Sequence, residues 1–447
     1  MSQVRVRIAP SPTGYFHIGT ARTALFNYLY AKQQGGVFVL RIEDTDKERG
    51  KKEYEEDIYA QMEWLGLSFD EKYVQSEHLD RHKELLRKLV DEDTAYISKE
   101  PMKDDPSKTV EVVRLRNPGK VVTFTDIIRG DISFDTTELK DFVIARSIDD
   151  PLYHFAVVAD DGDAGITHVI RGEDHISNTP RQILLQEALG LPRPIYAHLP
   201  LILASDRTKM SKRKHQTSIK DFRERGYEAQ AMVNFMALLG WSEGSGDKEI
   251  YSMDALMKAF SLEGIHKGGA VFNEEKLRWF NREYILRLSD EEFEAKAMKI
   301  LKESMEKRVS WNETKARAII PMLKERIHVW SDIAAFSADG EFDYFFEAPK
   351  LDPAKIPDKK SSGADAKAHL AYAAVALAAI SDEDFSNENV KSVLWGYATE
   401  KGRGAVLWPV RYSLSGREKS PDPFILSAIL GKKETLNRLH LAQDILG

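Results

Sequence analysis

The stretch Val4-Arg5-Val6-Arg7-Ile8-Ala9-Pro10-Ser11-Pro12-Thr13-Gly14, taken with its continuation to Ile42, decides the fold. Val4, Val6 and Ile8 alternate with Arg5 and Arg7, the period-two pattern of a half-buried strand. Residues 9–14 form a loop rich in Pro and Gly. From Ile18 the apolar spacing changes to Ala21, Ala24, Leu25, Tyr28 and Leu29, one face of a helix that Gly35 and Gly36 stop. Residues 37–42 read as a second strand. Strand, helix and strand at this length make a βαβ unit, whose ligand site lies where the first strand hands over to the helix N-terminus.

Outward from this unit, 54–65 and 78–90 have helical period. Residues 110–116, 121–126 and 142–145 read as strands with turns at Asn117-Pro118-Gly119 and Arg129-Gly130, which suggests an α+β insertion. A parallel-sheet pattern resumes with strands predicted at 154–159, 168–171 and 199–204 around a helix at 179–189, so the first domain is split by the insertion. From about Glu228 nearly every segment is helical: 229–239, 273–286, 290–305, 314–330 with a kink at Pro321, 370–380, 389–399 and 436–446. The stretch 338–364, with Pro349, Pro353, Pro357 and Ser361-Ser362-Gly363, reads as a linker. The predicted fold class is therefore multidomain α/β plus all-α, a Rossmann-like domain split by an α+β insertion and followed by helical regions.

The chain has 447 residues, long enough for two to four domains at about 100–200 residues each. Its composition, 42% hydrophobic and 30% charged, excludes disorder and collagen. There is no Cys, so disulfides, cysteine-based zinc sites and cysteine nucleophiles are excluded. The longest apolar run, 370–380, falls short of the ~18 residues a membrane helix needs, and the first residues carry no secretory pattern. A cytoplasmic protein without membrane contact is expected. The net charge of −7 argues against diffuse nucleic-acid binding, so any such contact is local. Two stretches are locally basic: 207–214, and 401–419 with Lys401, Arg403, Arg411, Arg417 and Lys419.

Four strand ends carry chemistry. His17-Ile18-Gly19-Thr20 stands at the helix N-terminus, where unpaired N–H groups and the helix dipole suit a phosphate. Asp206-Arg207-Thr208-Lys209-Met210-Ser211-Lys212-Arg213-Lys214 comes after the last strand, and Lys209 and Lys212 could neutralise a triphosphate. There is neither a P-loop nor a G-x-G-x-x-G fingerprint to compete for that role. Arg41-Ile42-Glu43-Asp44-Thr45-Asp46 and Arg171-Gly172-Glu173-Asp174-His175 reach the same edge. Glu43 could hold an ammonium while Arg7 and Arg171 clamp carboxylates, a set that suits an acidic amino acid. The alternative is that these charges pair with one another across the strand ends. His168 and His175 lack a third ligand at a recognisable spacing, so no protein-held metal is expected.

These motifs resemble those of bacterial-type glutamyl-tRNA synthetases, class I aminoacyl-tRNA synthetases, over practically the full chain. His17-Ile18-Gly19-Thr20 is similar to the first class I signature and Lys209-Met210-Ser211-Lys212-Arg213 to the second. The strings 7–14 and 41–46 are similar to those of the glutamyl branch, and further matches are 169–175, 275–281, 414–417 and 428–432. The resemblance implies activation of L-glutamate with ATP and Mg²⁺ to glutamyl-adenylate, then transfer to the terminal ribose of tRNA(Glu). It implies catalytic roles for His17, Gly19, Thr20, Lys209 and Lys212, and an ATP site at Pro10, Ser11, Thr13, Gly14, His17, Gly19, Lys209, Met210, Ser211 and Lys212. Arg7, Ala9, Ser11, Glu43, Tyr153, Arg171 and His175 would line the glutamate pocket. Of these, Arg7 is assigned to the side-chain carboxylate, Glu43 to the α-ammonium and Arg171 to a carboxylate. Arg213, Lys214, Arg403, Arg411 and Arg417 are candidate tRNA contacts.

The implied domains are a catalytic domain at 1–78 and 150–207, an acceptor-binding insertion at 79–149 and a stem-contact domain at 208–285. Anticodon-binding helical subdomains at 286–366 and 367–447 complete the chain, in a monomer. Three departures stand out. Thr20 replaces the second His of the first signature; the insertion between Tyr96 and Val112 is short and lacks zinc-binding cysteines, so no zinc is expected; and Val157 stands where relatives carry a polar residue. Charging of tRNA(Gln) as well as tRNA(Glu) remains an alternative, as does a catalytically inactive tRNA-binding relative. A truncated, base-modifying relative is disfavoured by the helical segment 290–447.

Overall fold

A computed structural model describes residues 3–102, 107–208, 210, 217–244 and 248–447. The chain divides into two compact units, Met1–Tyr284 and Ile285–Gly447. In the first, β1 (Arg5–Ile8), α1 (Ile18–Gln33) and β2 (Val37–Ile42) form the βαβ unit, followed by α2 (Lys52–Trp64), β3 (Glu71–Val74) and α3 (Leu79–Asp91). β1, β2 and β3 pair in parallel in that order. The positions of α1 that the spacing marks as its core face, Ala21, Ala24, Leu25, Tyr28 and Leu29, are all buried.

Next come β4 (Ala95–Pro101), β5 (Thr109–Leu115), β6 (Val121–Asp126), β7 (Gly130–Asp135), β8 (Phe142–Ser147) and β9 (Asp150–Pro151). They do not form one sheet. β4-β5-β8-β9 is an antiparallel sheet of its own, whereas the β6-β7 hairpin joins β10 (His168–Gly172) and β11 (Ile195–Leu199) in the order β10-β11-β6-β7. β10 stands beside β1, where the Thr167 amide donates to the Arg5 carbonyl at 3.0 Å and the Arg5 amide to Thr167 Oγ1 at 2.8 Å. The strand order thus reverses between β1 and β10, the place where open α/β sheets bind ligands.

Residues 154–159, expected as a strand, are instead part of α4 (Tyr153–Asp163). Phe155 through Asp161 are all buried, and a short run apolar on every side has no periodicity that separates strand from helix. α4 and α5 (Thr179–Leu189) share a core with Leu85, Leu86 and Leu89 of α3 and with Val122 and Phe124 of β6. The strand expected at 199–204 is interrupted: β11 ends at Leu199, Pro200 intervenes, and only Ile202–Leu203 pairs again.

The second unit packs eight helices of eight or more residues among the described residues, from Asp290–Met305 to Lys432–Ile445. Pro321 lies inside the helix Glu313–Arg326, which stops before the expected 330 because Ile327 is extended. The stretch 338–364 is not a linker. Phe342, Phe345 and Ile356 are fully buried in the helical core, and Arg438 donates to the carbonyls of Tyr344 and Glu347 at 2.6 and 3.2 Å. Helices Arg403–Ser415 and Pro423–Leu430 are not anticipated by the sequence pattern; Asp422 caps the second by accepting from the Phe424 and Ile425 amides. Among the described residues no helix is long and apolar enough to cross a membrane.

Candidate active site

A cavity of about 560 Å³ opens at the carboxyl ends of β1 and β10, within the usual range for a small-ligand site of ≈ 300–1,000 Å³. One wall is the 9–14 loop, pinned to β2 and α2 by backbone bonds from Glu43 to Pro10 (3.1 Å) and from Lys51 to Pro12 (3.0 Å). The wall continues into the N-terminus of α1. There the His17 imidazole caps the helix, Nδ1 accepting from the Gly19 and Thr20 amides at 3.1 and 3.3 Å. With Nδ1 an acceptor, the neutral ring carries its proton on Nε2, which lies 3.0 Å from Thr20 Oγ1. A Cβ on Gly19 would stand 3.1 Å from this ring, so glycine is what lets the capping imidazole lie flat over the first turn.

Below this, three arginines from neighbouring strands converge, and they are not equivalent. Arg7 and Arg41 are both neutralised by Asp161 of α4. Arg7 forks onto it through Nε (3.1 Å) and Nη2 (3.2 Å), and Arg41 Nη1 reaches Oδ1 at 2.5 Å. Arg41 also pairs with Glu43 at 3.1 Å. Burial would raise the Asp161 carboxyl, but the two guanidinium groups outweigh it and hold it below the usual carboxylate range. For Glu43 the balance reverses: burial dominates over Arg41 and pushes its carboxyl up. Behind them Asp160 accepts from Gln75 (2.7 Å), Tyr73 (3.1 Å) and His82 (2.5 Å).

Arg171 differs. It is only 6% exposed, yet no carboxylate among the described residues lies within ion-pair distance of it. Its donors are taken by neutral groups: Nε by His198 Nε2 (3.1 Å), Nη1 by Gln182 Oε1 (2.7 Å), Nη2 by Thr179 Oγ1 (2.9 Å) and, weakly, the His175 carbonyl (3.4 Å). A buried cation with only dipolar partners is an incomplete arrangement that an anionic ligand would complete. Beside it His175 Nδ1 lies 3.2 Å from the Tyr153 hydroxyl; burial, then Arg171, pushes this imidazole down to about 4, so it is neutral at ordinary pH.

The structure brings Arg7, Ala9, Pro10, Ser11, Thr13, Gly14, His17, Gly19, Thr20, Glu43, Tyr153, Arg171, His175 and Met210 around this one cavity. Val157 lines it too, apolar as its side chain dictates. Lys209, Ser211, Lys212, Arg213 and Lys214 lie outside the described residues. The described flanks are tied to the site: the Met210 amide donates to the Ile202 carbonyl (3.1 Å) and the Ile18 amide to the Thr217 carbonyl (2.9 Å). Asp161, Asp126 and His198 are missed by sequence reasoning. Asp160-Asp161 closing an apolar run is a usable signal, because two buried acids demand cationic partners. In the second unit, Arg403 is exposed with its guanidinium over Trp395 (4.5 Å), whereas Arg411 donates to the Glu418 carbonyl (2.9 Å) and Arg417 to the Asp339 carbonyl (2.7 Å). Among the described residues no group of three or more His, Asp or Glu could hold a metal ion.

The family "tRNA synthetases class I (E and Q), catalytic domain" matches residues 3–105 and 97–279, and "Anticodon binding domain" matches 278–443. The glutamate–tRNA ligases of Thermodesulfovibrio yellowstonii and Geobacter sulfurreducens are each 40% identical, with 99% of both chains covered. The chain belongs to the glutamate–tRNA ligases. A crystal structure of a glutamate tRNA ligase from Elizabethkingia meningosepticum in complex with its amino acid superposes with a TM-score of 0.88, at 34% identity and 100% coverage of both chains. The glutamyl-type resemblance of the sequence and the split α/β plus helical fold class are thereby established, and with them the activity, ligation of glutamate to tRNA by a class I, ATP-using enzyme.

Proposed function

We propose that the cavity holds L-glutamate at its floor and Mg-ATP across the α1 N-terminus, and that the enzyme works by positioning and charge rather than by a covalent protein intermediate. The observation that carries this is Arg171, a buried guanidinium held by neutral groups alone beside a second guanidinium, Arg7, whose Nη1 has no hydrogen-bond partner among the described residues. Two carboxylates of one ligand match two such donors. Arg7 takes the side-chain carboxylate, Arg171 a carboxylate, and Glu43, with Ala9, Ser11, Tyr153 and His175 around it, the α-ammonium side. Glutamine would leave the Arg7 edge facing an amide, and a site built for a charged partner rejects a neutral one.

The α-carboxylate oxygen attacks the α-phosphorus of Mg-ATP, and the bond to the bridging oxygen breaks to release pyrophosphate. His17 Nε2–H meets a phosphate oxygen, the Gly19 and Thr20 amides hold the ring in place through Nδ1, and Thr20 takes the place of the signature's second His. Lys209 and Lys212 close on the pyrophosphate. The 3′-terminal ribose hydroxyl of tRNA(Glu) then takes the acyl group and releases AMP. We assign 1–78 with 150–207 to catalysis, 79–149 to the acceptor end, 208–285 to the inner stem and 286–366 with 367–447 to the anticodon, in a cytoplasmic monomer. The exposure of Arg403 supports a phosphate contact there; the internal bonds of Arg411 and Arg417 favour a packing role for both. The test is transfer of labelled glutamate onto separate tRNA(Glu) and tRNA(Gln) transcripts with ATP and Mg²⁺. Charging of the first alone marks a discriminating enzyme, charging of both a non-discriminating one, and charging of neither by folded protein overturns the catalytic reading.

A further inference from the structure

Arg171, His198 and Asp126 sit on three adjacent strands. Arg171 of β10 is in direct register with His198 of β11, and β11 pairs in parallel with β6 through Tyr196 opposite Asp126. His198 is fully buried and Asp126 is 1% exposed. Arg171 Nε can only donate, so the 3.1 Å bond to His198 Nε2 requires a lone pair on that nitrogen. The ring proton is therefore on Nδ1, and it is given to Asp126 Oδ2 at 2.7 Å. The same Oδ2 accepts the His198 backbone amide (3.0 Å), while Oδ1 accepts the amides of Ile128 and Arg129 (2.9 Å each). All four donors point at one carboxylate, which leaves no orientation in which it could offer a proton. Thr179 Oγ1, 3.3 Å from His198 Nε2, already donates to the His175 carbonyl and does not compete for the lone pair.

We infer that Asp126 and His198 are positioning residues for the ligation reaction: Asp126 fixes the Nδ1–H tautomer of His198, whose Nε2 lone pair holds Arg171 aimed at a substrate carboxylate. The neutral ring suits the task, since burial lowers its basicity and a protonated imidazole would push Arg171 away. A strand of the segment assigned to the insertion thus shapes the amino-acid site. The inference rests on the reading of Arg171 as a carboxylate clamp, and the experiment separates the two.

Arg171→Ala, His198→Leu and His198→Gln are compared in aminoacylation of a tRNA(Glu) transcript by the full chain. Arg171→Ala sets the reference, and an unchanged KM for glutamate there would remove the clamp itself. His198→Leu is expected to raise the glutamate KM about tenfold, the loss of one hydrogen bond to a charged group, with the ATP KM within about twofold of the parent. His198→Gln, which can place an amide oxygen near the Nε2 position, is expected to recover most of that loss. A parent-like KM in His198→Leu, or equal losses in both His198 variants, would overturn the positioning role while leaving the clamp intact. Should the leucine variant fail to fold, long-range ¹⁵N shifts of His198 in the parent protein decide: protonation on Nδ1 is expected, and protonation on Nε2 would refute the inference.

Discussion

Asp161→Asn probes the charge arrangement beneath the site. The parent carboxylate makes three charge-assisted bonds to two buried arginines, Arg7 and Arg41. An asparagine keeps the volume and, with its oxygen at the Oδ1 position, still accepts from Arg7 Nε and Arg41 Nη1. Its amide nitrogen then faces Arg7 Nη2, donor against donor. Arg41 keeps Glu43, but no other carboxylate among the described residues pairs with Arg7, so the loss falls on Arg7. One charge-assisted bond at about 1.5–3 kcal/mol plus an uncompensated buried charge gives roughly 3–4 kcal/mol, toward the lower part of the range for broken buried pairs. At about 2–4 °C per kcal/mol, the first unit should melt about 6–16 °C lower. The assay is thermal unfolding by circular dichroism and calorimetry. Because Asp161 is held below its unfolded value, its contribution is complete above about pH 4 and is lost as pH falls through the lower folded value. The parent and variant curves should therefore converge in acid. A melting point within about 1 °C of the parent near pH 7 would refute the reasoning.

Three further outcomes are expected. Lys212→Ala should lower kcat for adenylate formation by about a hundredfold or more with the glutamate KM little changed, and a parent-like rate would take Lys212 out of the mechanism. Because burial raises the Glu43 carboxyl, the glutamate KM should climb on acidification above the pH at which an exposed glutamate titrates, ~4.3; a KM flat down to about pH 4.5 would contradict its role as ammonium partner. Arg403→Ala should flatten the salt dependence of tRNA binding by about 0.7–0.9 of a log unit per decade, whereas Arg411→Ala, whose guanidinium serves the Glu418 carbonyl, should leave the slope alone.

Much of this molecule is legible in its sequence because its signals are local. The alternation at 4–8, the helix beginning at Ile18 and the glycines that end it are consequences of backbone geometry within a few residues. The helix at 153–163 is not, because a segment buried on all sides has no amphipathic period. The helix at 403–415 is hidden by Pro409 and by a basic composition that draws the reading toward phosphate contacts, and the one at 423–430 by being a short, almost wholly apolar run without a period, although Asp422-Pro423 is a start signal. At the site, residue types announce the chemistry but not the pairing. That Arg7 is neutralised by Asp161 while Arg171 is not depends on which strands lie beside α4 and which beside β11, a matter of tertiary arrangement. From sequence, the strand-end charges either pair or bind; the structure pairs Arg7 and Arg41 with carboxylates and leaves Arg171 on neutral partners alone. The Asp126–His198 pair is equally invisible, since it joins residues 72 apart through a strand that leaves the insertion for the central sheet.

If Arg7 and Arg171 together select an acidic amino acid, the ratio of kcat/KM for labelled glutamate against labelled glutamine on one tRNA(Glu) transcript depends on them. A strong preference for glutamate is expected in the parent, and one reduced about a hundredfold or more in Arg7→Ala, with the ATP KM little changed. An Arg7→Ala enzyme that keeps the parent's selectivity while losing affinity for ATP would contradict it.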